Sequence, residues 1–71
     1  MSWNYRIVKK ESEDSLGYGV YEVYYDESGK AMLCTENPIS MEEETLNGLE
    51  FVVSKIKIAI NMPILRYEDF K

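Results

Sequence analysis

The stretch EVYYDESGKAMLCTE, residues 22–36, decides the fold because it carries two strand patterns around one turn. Its aromatic and β-branched residues are typical of strands. Asp26 favours the start of a turn, and Gly29 can adopt the positive φ that many turns require. The stretch therefore predicts a β-hairpin whose strands run from Leu16 to Tyr25 and from Lys30 to Glu36.

A further strand precedes the hairpin at residues 3–10, WNYRIVKK. Its alternation of period two divides the segment into two faces. These are Trp3, Tyr5 and Ile7 on one side and Asn4, Arg6 and Val8 on the other. The acidic and polar residues 11–15, ESEDS, predict a loop between the first and second strands. Asn37-Pro38 ends the third strand because proline lacks a backbone donor.

From Thr45 to Ile60 the apolar period changes to that of a helix. Two N-caps compete, Ser40 with Glu43 as a capping box and Thr45 as a simple cap, and we favour Thr45. Pro63 ends the helix, and residues 64–67, ILRY, are expected to lie extended against the sheet. The predicted buried stripe of the helix is Leu46, Leu49, Val53, Ile56 and Ile60, with Val52 and Ala59 beside it.

These elements predict one α+β domain over residues 1–71, a three-stranded antiparallel meander with one helix packed on one face. The order is β-β-β-α, with a short C-terminal strand as an addition. With 45% hydrophobic and 30% charged residues, the chain is too apolar to be disordered. Its apolar runs are far shorter than the about 20 residues that cross a membrane, so neither a signal peptide nor a membrane span is expected.

The two faces of the second strand predict different environments. Glu22 marks its own face as the outer one, because a buried charge is costly unless it is paired. Gly17 and Gly19 on the opposite face leave room for the helix. The helix is expected to cover Tyr21, Val23 and Tyr25. The outer face then carries Tyr18, Val20, Glu22 and Tyr24. It is either an ordinary solvated sheet face or a surface for a partner or a second copy.

Two apolar residues of the helix fall outside its predicted buried stripe. At about 100° per residue, Phe51 and Ile58 lie nearly opposite that stripe, with Lys55 between them. Either the C-terminal segment folds over them or they form a second contact surface. The candidate partner-binding residues are therefore Tyr18, Val20, Glu22, Tyr24, Phe51 and Ile58.

The chain lacks the residues on which most catalytic and metal sites depend. It has no histidine, and its one cysteine, Cys34, has neither a histidine nor a second cysteine as a partner. Cys34 is expected to be a small core residue, and a single cysteine suits a reducing cytoplasmic setting. The sequence predicts no catalytic residue, no metal and no cofactor, and it argues against an enzyme.

Thirteen acidic against eight basic residues give a net charge of −5, which disfavours direct binding to nucleic acid. Eight of the acidic residues gather in loops and before the helix. They are Glu11, Glu13, Asp14, Asp26, Glu27, Glu42, Glu43 and Glu44. The last three suit the positive end of the helix dipole. Alternatively, the acidic loops imitate the charge of a nucleic-acid backbone and occupy a basic groove on another protein.

Several segments resemble a family of small uncharacterised bacterial proteins. They are YRIVKK, YEVYYDESGK, TENPIS, ETLNGLE and MPILRYED, which together extend over nearly the whole chain. That family shares an E-V-Y-Y-D-x-x-G-K hairpin, a T-E-N-P turn and a P-x-L-x-Y end, and the resemblance implies no activity.

The succession of strands and helix, with GYGVYEV and ETLNGLEFVVSKIKIAI, also resembles the N-terminal domain of HicB-type antitoxins. This resemblance implies a small sheet-and-helix domain that binds and neutralises a ribonuclease toxin. Gly48 replaces the glutamate that is usual three residues after the threonine cap. No DNA-binding segment follows Pro63, so operator binding is not implied.

Three functional hypotheses follow. The first is a non-catalytic, antitoxin-like module that binds and inhibits a protein partner, for which we expect a basic nuclease or ribonucleoprotein. Its variant is a phage-type, anti-CRISPR-like inhibitor that mimics DNA charge. The second is an RNA-binding domain, but only Arg6, Lys9 and Lys10 gather as bases, so no direct nucleic-acid binding is expected. The third is a homodimeric structural protein whose outer sheet faces bury one another.

Overall fold

The computed structural model describes residues 2–70 and shows an α+β domain. Three strands come first, β1 at Ser2–Ser12, β2 at Ser15–Tyr25 and β3 at Ala31–Cys34. The helix α1 follows at Leu46–Ile60, then the short strand β4 at Leu65–Arg66 and a C-terminal 3-10 helix at Tyr67–Phe70. The predicted α+β class is confirmed.

The four strands form one mixed sheet in the order β3-β2-β1-β4. β1 and β2 pair antiparallel along their whole length, from Ser2 opposite Tyr25 to Ser12 opposite Ser15. β4 runs parallel to β1, with Val8 opposite Leu65. The fourth strand and its parallel pairing go beyond the predicted antiparallel meander. Parallel pairing is accessible here because α1 carries the chain back along the sheet before β4 begins.

The β1–β2 hairpin is longer than predicted, and the expected loop at residues 11–15 is wrong. Glu11 and Ser12 belong to β1, and Glu13 and Asp14 alone form the turn before Ser15. Polar residues can extend the hairpin because this end of the sheet is exposed on both faces. The Oγ atoms of Ser12 and Ser15, 2.7 Å apart, form a hydrogen bond across the hairpin end.

The β2–β3 turn has the predicted chemistry. Asp26 Oδ1 accepts hydrogen bonds from the backbone N–H groups of Ser28 and Lys30, both at 2.9 Å, and from Ser28 Oγ at 2.7 Å. Gly29 takes a φ of 85°, which a residue with a side chain rarely adopts. β3 itself is shorter than the predicted Lys30–Glu36, and its register shifts between Tyr24 and Tyr25.

The main core cluster lies on one face of the sheet and consists of Val8, Tyr21 and Val23. The partly buried side chains packed against it come from β2, β3, β4 and the 3-10 helix. They are Tyr25, Ala31, Cys34, Leu65, Tyr67 and Phe70. The expectation that α1 covers Tyr21, Val23 and Tyr25 is therefore wrong. The C-terminal segment fills that position, because Tyr67 and Phe70 supply enough apolar surface to close the core.

The glycines of β2 do not admit the helix. A Cβ on Gly19 would lie 3.1 Å from Pro38 Cβ, so the segment after β3 already occupies that space. A Cβ on Gly17 would meet no atom within 4 Å. The predicted close approach of the helix at these two residues is wrong.

The helix α1 packs against β1 on the other side of the sheet. Phe51 and Lys55 line a groove together with Trp3 and Tyr5, whose side chains alternate along β1 with those of the core face. The predicted cap is confirmed, since Thr45 Oγ1 accepts a hydrogen bond from the Gly48 N–H at 2.9 Å.

The buried stripe of α1 differs from the predicted one. Val52 and Ala59 are its buried residues, and Leu49 and Ile56 are half-buried. Leu46, Val53 and Ile60, which were expected to be buried, are 71%, 39% and 65% exposed. The apolar arc of α1 is wider than the surface β1 offers, so its margins remain in solvent.

Candidate functional site

The predicted partner-binding residues of β2 lie on one sheet face, as their alternation requires. Val20, Glu22 and Tyr24 are half-buried, and the Tyr24 hydroxyl donates a 2.9 Å hydrogen bond to Glu22 Oε1. This hydrogen bond to the carboxylate raises the pKa of Tyr24 above its ordinary value of 10.0, because it favours the protonated phenol. The hydrogen bond between Tyr24 and Glu22 orients the Tyr24 ring along β2, toward Glu22.

Tyr24 is the centre of a row of apolar side chains across three strands. Its cross-strand partners are Trp3 on β1 and Leu33 on β3. Directly paired residues project to the same face, so the three side chains lie side by side. Trp3 is 50% exposed and Leu33 is 55% exposed, which leaves this row open to solvent at both ends.

The row continues onto the helix through Tyr5 and Phe51. The Trp3 and Tyr5 rings meet edge-to-face with centroids 5.3 Å apart. A groove of about 280 Å³ separates these two rings from Phe51 and Lys55 of α1. Phe51 is 57% exposed, and Lys55 Nζ lies 5.3 Å from its ring centroid. We call Trp3, Tyr5, Tyr24, Leu33 and Phe51 the aromatic face.

Two carboxylates give the aromatic face a negative margin. The pKa of Tyr5 is raised above 10.0, first by partial burial and then by the negative charges of Glu22 and Glu43. Glu43 belongs to the segment before α1, and a Cβ on Gly48 would lie 3.3 Å from its Oε1. The Glu43 carboxylate therefore lies between the first turn of the helix and the sheet face, where it also meets the helix dipole.

Two predicted site residues lie away from this cluster. Tyr18 is on the same face as Tyr24 but six residues back along β2, about 20 Å away at about 3.3 Å per residue. It lines a separate groove near the hairpin end, with Lys10 and Leu16 among its neighbours. Ile58 is exposed two helical turns beyond Phe51 and does not line the groove of the aromatic face. The C-terminal segment covers the core rather than Phe51 and Ile58, so that interpretation of these two residues is wrong.

The sequence did not single out Trp3, Tyr5, Leu33 or Lys55 as site residues. The missing signal was the hairpin register. With a two-residue turn at Glu13–Asp14, antiparallel pairing places residue 3 opposite residue 24, which joins the two aromatic patterns. The longer loop predicted at residues 11–15 left that register undetermined.

The acidic residues do not form one edge. Glu11, Glu13 and Asp14 lie at the β1–β2 turn, whereas Asp26 and Glu27 lie at the β2–β3 turn, at the other end of the eleven-residue strand β2. The group of Glu42, Glu43 and Glu44 precedes α1. These clusters therefore do not form the regular row of charge along one side that mimicry of a nucleic-acid backbone requires.

Cys34 packs against the core cluster, and burial raises the pKa of its thiol above 9.0. Within residues 2–70, no three cysteine, aspartate or glutamate side chains come together as a metal site. None of the helices in that range has the length and apolarity needed to cross a bilayer.

Comparisons of the chain with protein-family models, with curated proteins and with solved structures found no match. Evidence for function therefore comes from the geometry of the aromatic face.

Proposed function

We propose that this protein is a non-catalytic interaction module that binds a protein partner through the aromatic face and inhibits it. The observation that carries the proposal is the row of Leu33, Tyr24 and Trp3 across three strands, which faces Phe51 of α1 across a groove. Scattered exposed apolar residues are normal, but grouped aromatics are enriched at the centres of protein interfaces.

The lining of the groove favours a side chain of a protein partner. The groove has a volume of about 280 Å³ and is lined mainly by the rings of Trp3, Tyr5 and Phe51. Lys55 is its one charged lining residue, and that ammonium group stacks on Phe51. The groove suits a single large side chain of a partner as an anchor, and it supports a binding role rather than catalysis.

The charge of the margin favours a basic partner. Glu22 and Glu43 place negative potential beside the aromatic face, and the whole chain carries a net charge of −5. Arginine and lysine around an aromatic anchor would be attracted to the Glu22 and Glu43 side of the face, whereas Lys55 repels them on the helix side. A cytoplasmic nuclease or ribonucleoprotein has that chemistry, which agrees with the resemblance to HicB-type antitoxins.

A comparative pull-down tests the proposal. Tagged wild-type protein, the Trp3→Ala variant and the Leu16→Ala variant are incubated with nuclease-treated bacterial lysate, and retained proteins are quantified by mass spectrometry. Leu16 is a matched control because it is 56% exposed on the same hairpin but lies near the opposite end. We expect one protein to be retained stoichiometrically by the wild type and Leu16→Ala and lost from Trp3→Ala.

Two outcomes contradict the proposal. One is that the folded wild-type protein retains no other protein in stoichiometric amount. The other is that Trp3→Ala, with an unchanged circular dichroism spectrum, retains the same protein as well as the wild type does. If a nuclease is retained, adding purified wild-type protein at an equimolar ratio should abolish its activity, and full residual activity would contradict the inhibitory role.

A further inference from the structure

The margin of α1 that faces away from the aromatic face carries a second apolar line. Leu46, Val53 and Ile60 follow one another at intervals of seven residues, so they lie along one side of the helix. All three are exposed, Leu46 most of all. They adjoin the half-buried Leu49 and Ile56, and together the five residues have the alternating spacing of three and four that a helix–helix seam uses.

A shallow groove of about 270 Å³ lies on the N-terminal part of this line and is bordered by charged groups of both signs. Leu46, Leu49 and Val53 supply its apolar lining. Glu50 and Lys57 lie beside them on the same helix, separated by two helical turns. Both side chains are exposed, and within the described part of the chain neither joins an ion pair.

We propose that two copies of this chain pair through this line, with their α1 helices antiparallel and related by a two-fold axis at Val53. In that arrangement Leu46 of each copy packs beside Ile60 of the other, and the two Val53 side chains meet at the centre. In an antiparallel pair centred on Val53, two residues face each other when their numbers add up to about twice 53. Glu50 of each copy therefore faces Lys57 of the other. In a parallel pair, Glu50 would instead lie beside Glu50 and Lys57 beside Lys57, so these like charges would repel each other.

The molecule that binds this groove is a second copy of the chain, because Glu50 and Lys57 of one copy are complementary in charge to Lys57 and Glu50 of the other. The helix itself is not acidic: it contains Glu50 against Lys55 and Lys57, a net charge of +1, whereas the whole chain carries −5. Two copies therefore meet at α1 without the repulsion that their acidic loops would cause elsewhere. The apolar seam supplies the attraction, and the two ion pairs select the antiparallel orientation.

The pairing is independent of the proposed partner site. Phe51 and Val53 are two residues apart, so they project about 200° apart around the helix axis. One margin of α1 can hold the second copy while the other margin and the sheet hold a partner. A single helix pair lies at the low end of interface sizes, so we expect dissociation in the micromolar range.

Sedimentation of the full chain tests the pairing over concentrations from about 1 μM to about 1 mM. We expect a monomer at the low end and a dimer at the high end. Val53→Glu places two like charges on the axis and should remain monomeric throughout. Leu46→Glu, at a more exposed position, should do the same. Ile58→Glu is the matched control, since Ile58 is exposed on the other margin, and it should dimerise as the wild type does.

Charge reversal tests the orientation. Glu50→Lys and Lys57→Glu should each weaken dimerisation about tenfold, because each replaces two attractive pairs by two repulsive ones. The double variant should recover the wild-type affinity. A wild type that is monomeric at every concentration overturns the proposal, as does a dimeric and folded Leu46→Glu variant. Failure of the double variant to recover overturns the antiparallel arrangement.

Discussion

At the scale of single residues, Arg6 shows how a buried charge holds the C-terminal segment. It is 7% exposed and lies on the core face of β1. Its guanidinium donates hydrogen bonds to the Tyr25 hydroxyl at 2.9 Å and to the Pro63 carbonyl oxygen at 2.6 Å, while Nε has no partner within residues 2–70. The bond to Pro63 joins the chain after α1 to the first strand, so Arg6 fixes where β4 begins.

Replacing this guanidinium should destabilise the domain. Arg6→Met keeps most of the apolar stem but leaves the Pro63 carbonyl without its donor, and we expect the free energy of unfolding to fall by about 1–3 kcal/mol. Denaturant titration followed by circular dichroism measures the change. Arg66→Met, at an exposed position of β4, is the control and should have little effect. Equal midpoints for the two variants would show that Arg6 does not anchor the segment.

Asp26 predicts how the hairpin turn responds to acid. Its pKa is lowered from 3.8, first by the Ser28 side chain and then by the Lys30 backbone N–H, because both donate to the ionised carboxylate. A group whose pKa is lower in the folded state stabilises the fold at pH above 3.8 and loses that contribution as the pH falls through the lowered value. The Asp26→Asn variant should therefore lose less stability than the wild type when the pH falls below 3.8. Parallel stability curves for the two proteins over that range would contradict this role of Asp26.

At the scale of elements, local signals in the sequence predicted the β2–β3 turn and the helix cap well and predicted packing partners poorly. The turn at Asp26–Gly29 and the cap at Thr45 depend on groups within four residues of each other, so the sequence contains all the information. The buried side of α1 depends on β1, which is distant in sequence. Because the apolar arc of the helix is wide, its periodicity alone could not distinguish Val52 and Ala59 from Leu46 and Ile60.

The cap of α1 gives a direct test of the two starts that the sequence offered. Thr45→Ala removes the acceptor for the Gly48 N–H and should lower the free energy of unfolding by about 1 kcal/mol. Ser40→Ala removes the competing capping residue, which lies five residues before the cap in use, and should change stability by less than about 0.5 kcal/mol. A larger effect at Ser40 than at Thr45, measured by thermal unfolding, would refute this assignment of the helix start.

At the scale of the whole molecule, the thin sheet is covered on both faces. The 3-10 helix closes the core face over Tyr21, and α1 covers the β1 side of the other face. The sequence predicted that the helix covers the Tyr21 face and that the other face stays uncovered, because no local signal shows where β4 directs the last residues. The consequence for function is that the second face is open to solvent around Tyr24 and Leu33 and is bounded by α1 on the β1 side.

That boundary separates the two proposed contacts. The aromatic face uses the sheet and the Phe51 margin of α1, whereas self-association uses the Val53 margin. A monomeric Leu46→Glu protein should therefore still bind its partner. Loss of both properties together in that variant would indicate a single shared surface.

The central claim is that the aromatic face binds the partner, and calorimetric titration of the purified partner tests it most directly. We expect Tyr24→Ala to weaken binding by about 2 kcal/mol or more, roughly 30-fold, because Tyr24 lies at the centre of the apolar row. Leu16→Ala, near the far end of the same strand and face, should bind as the wild type does. Equal affinities for a folded Tyr24→Ala protein and the wild type would contradict the account.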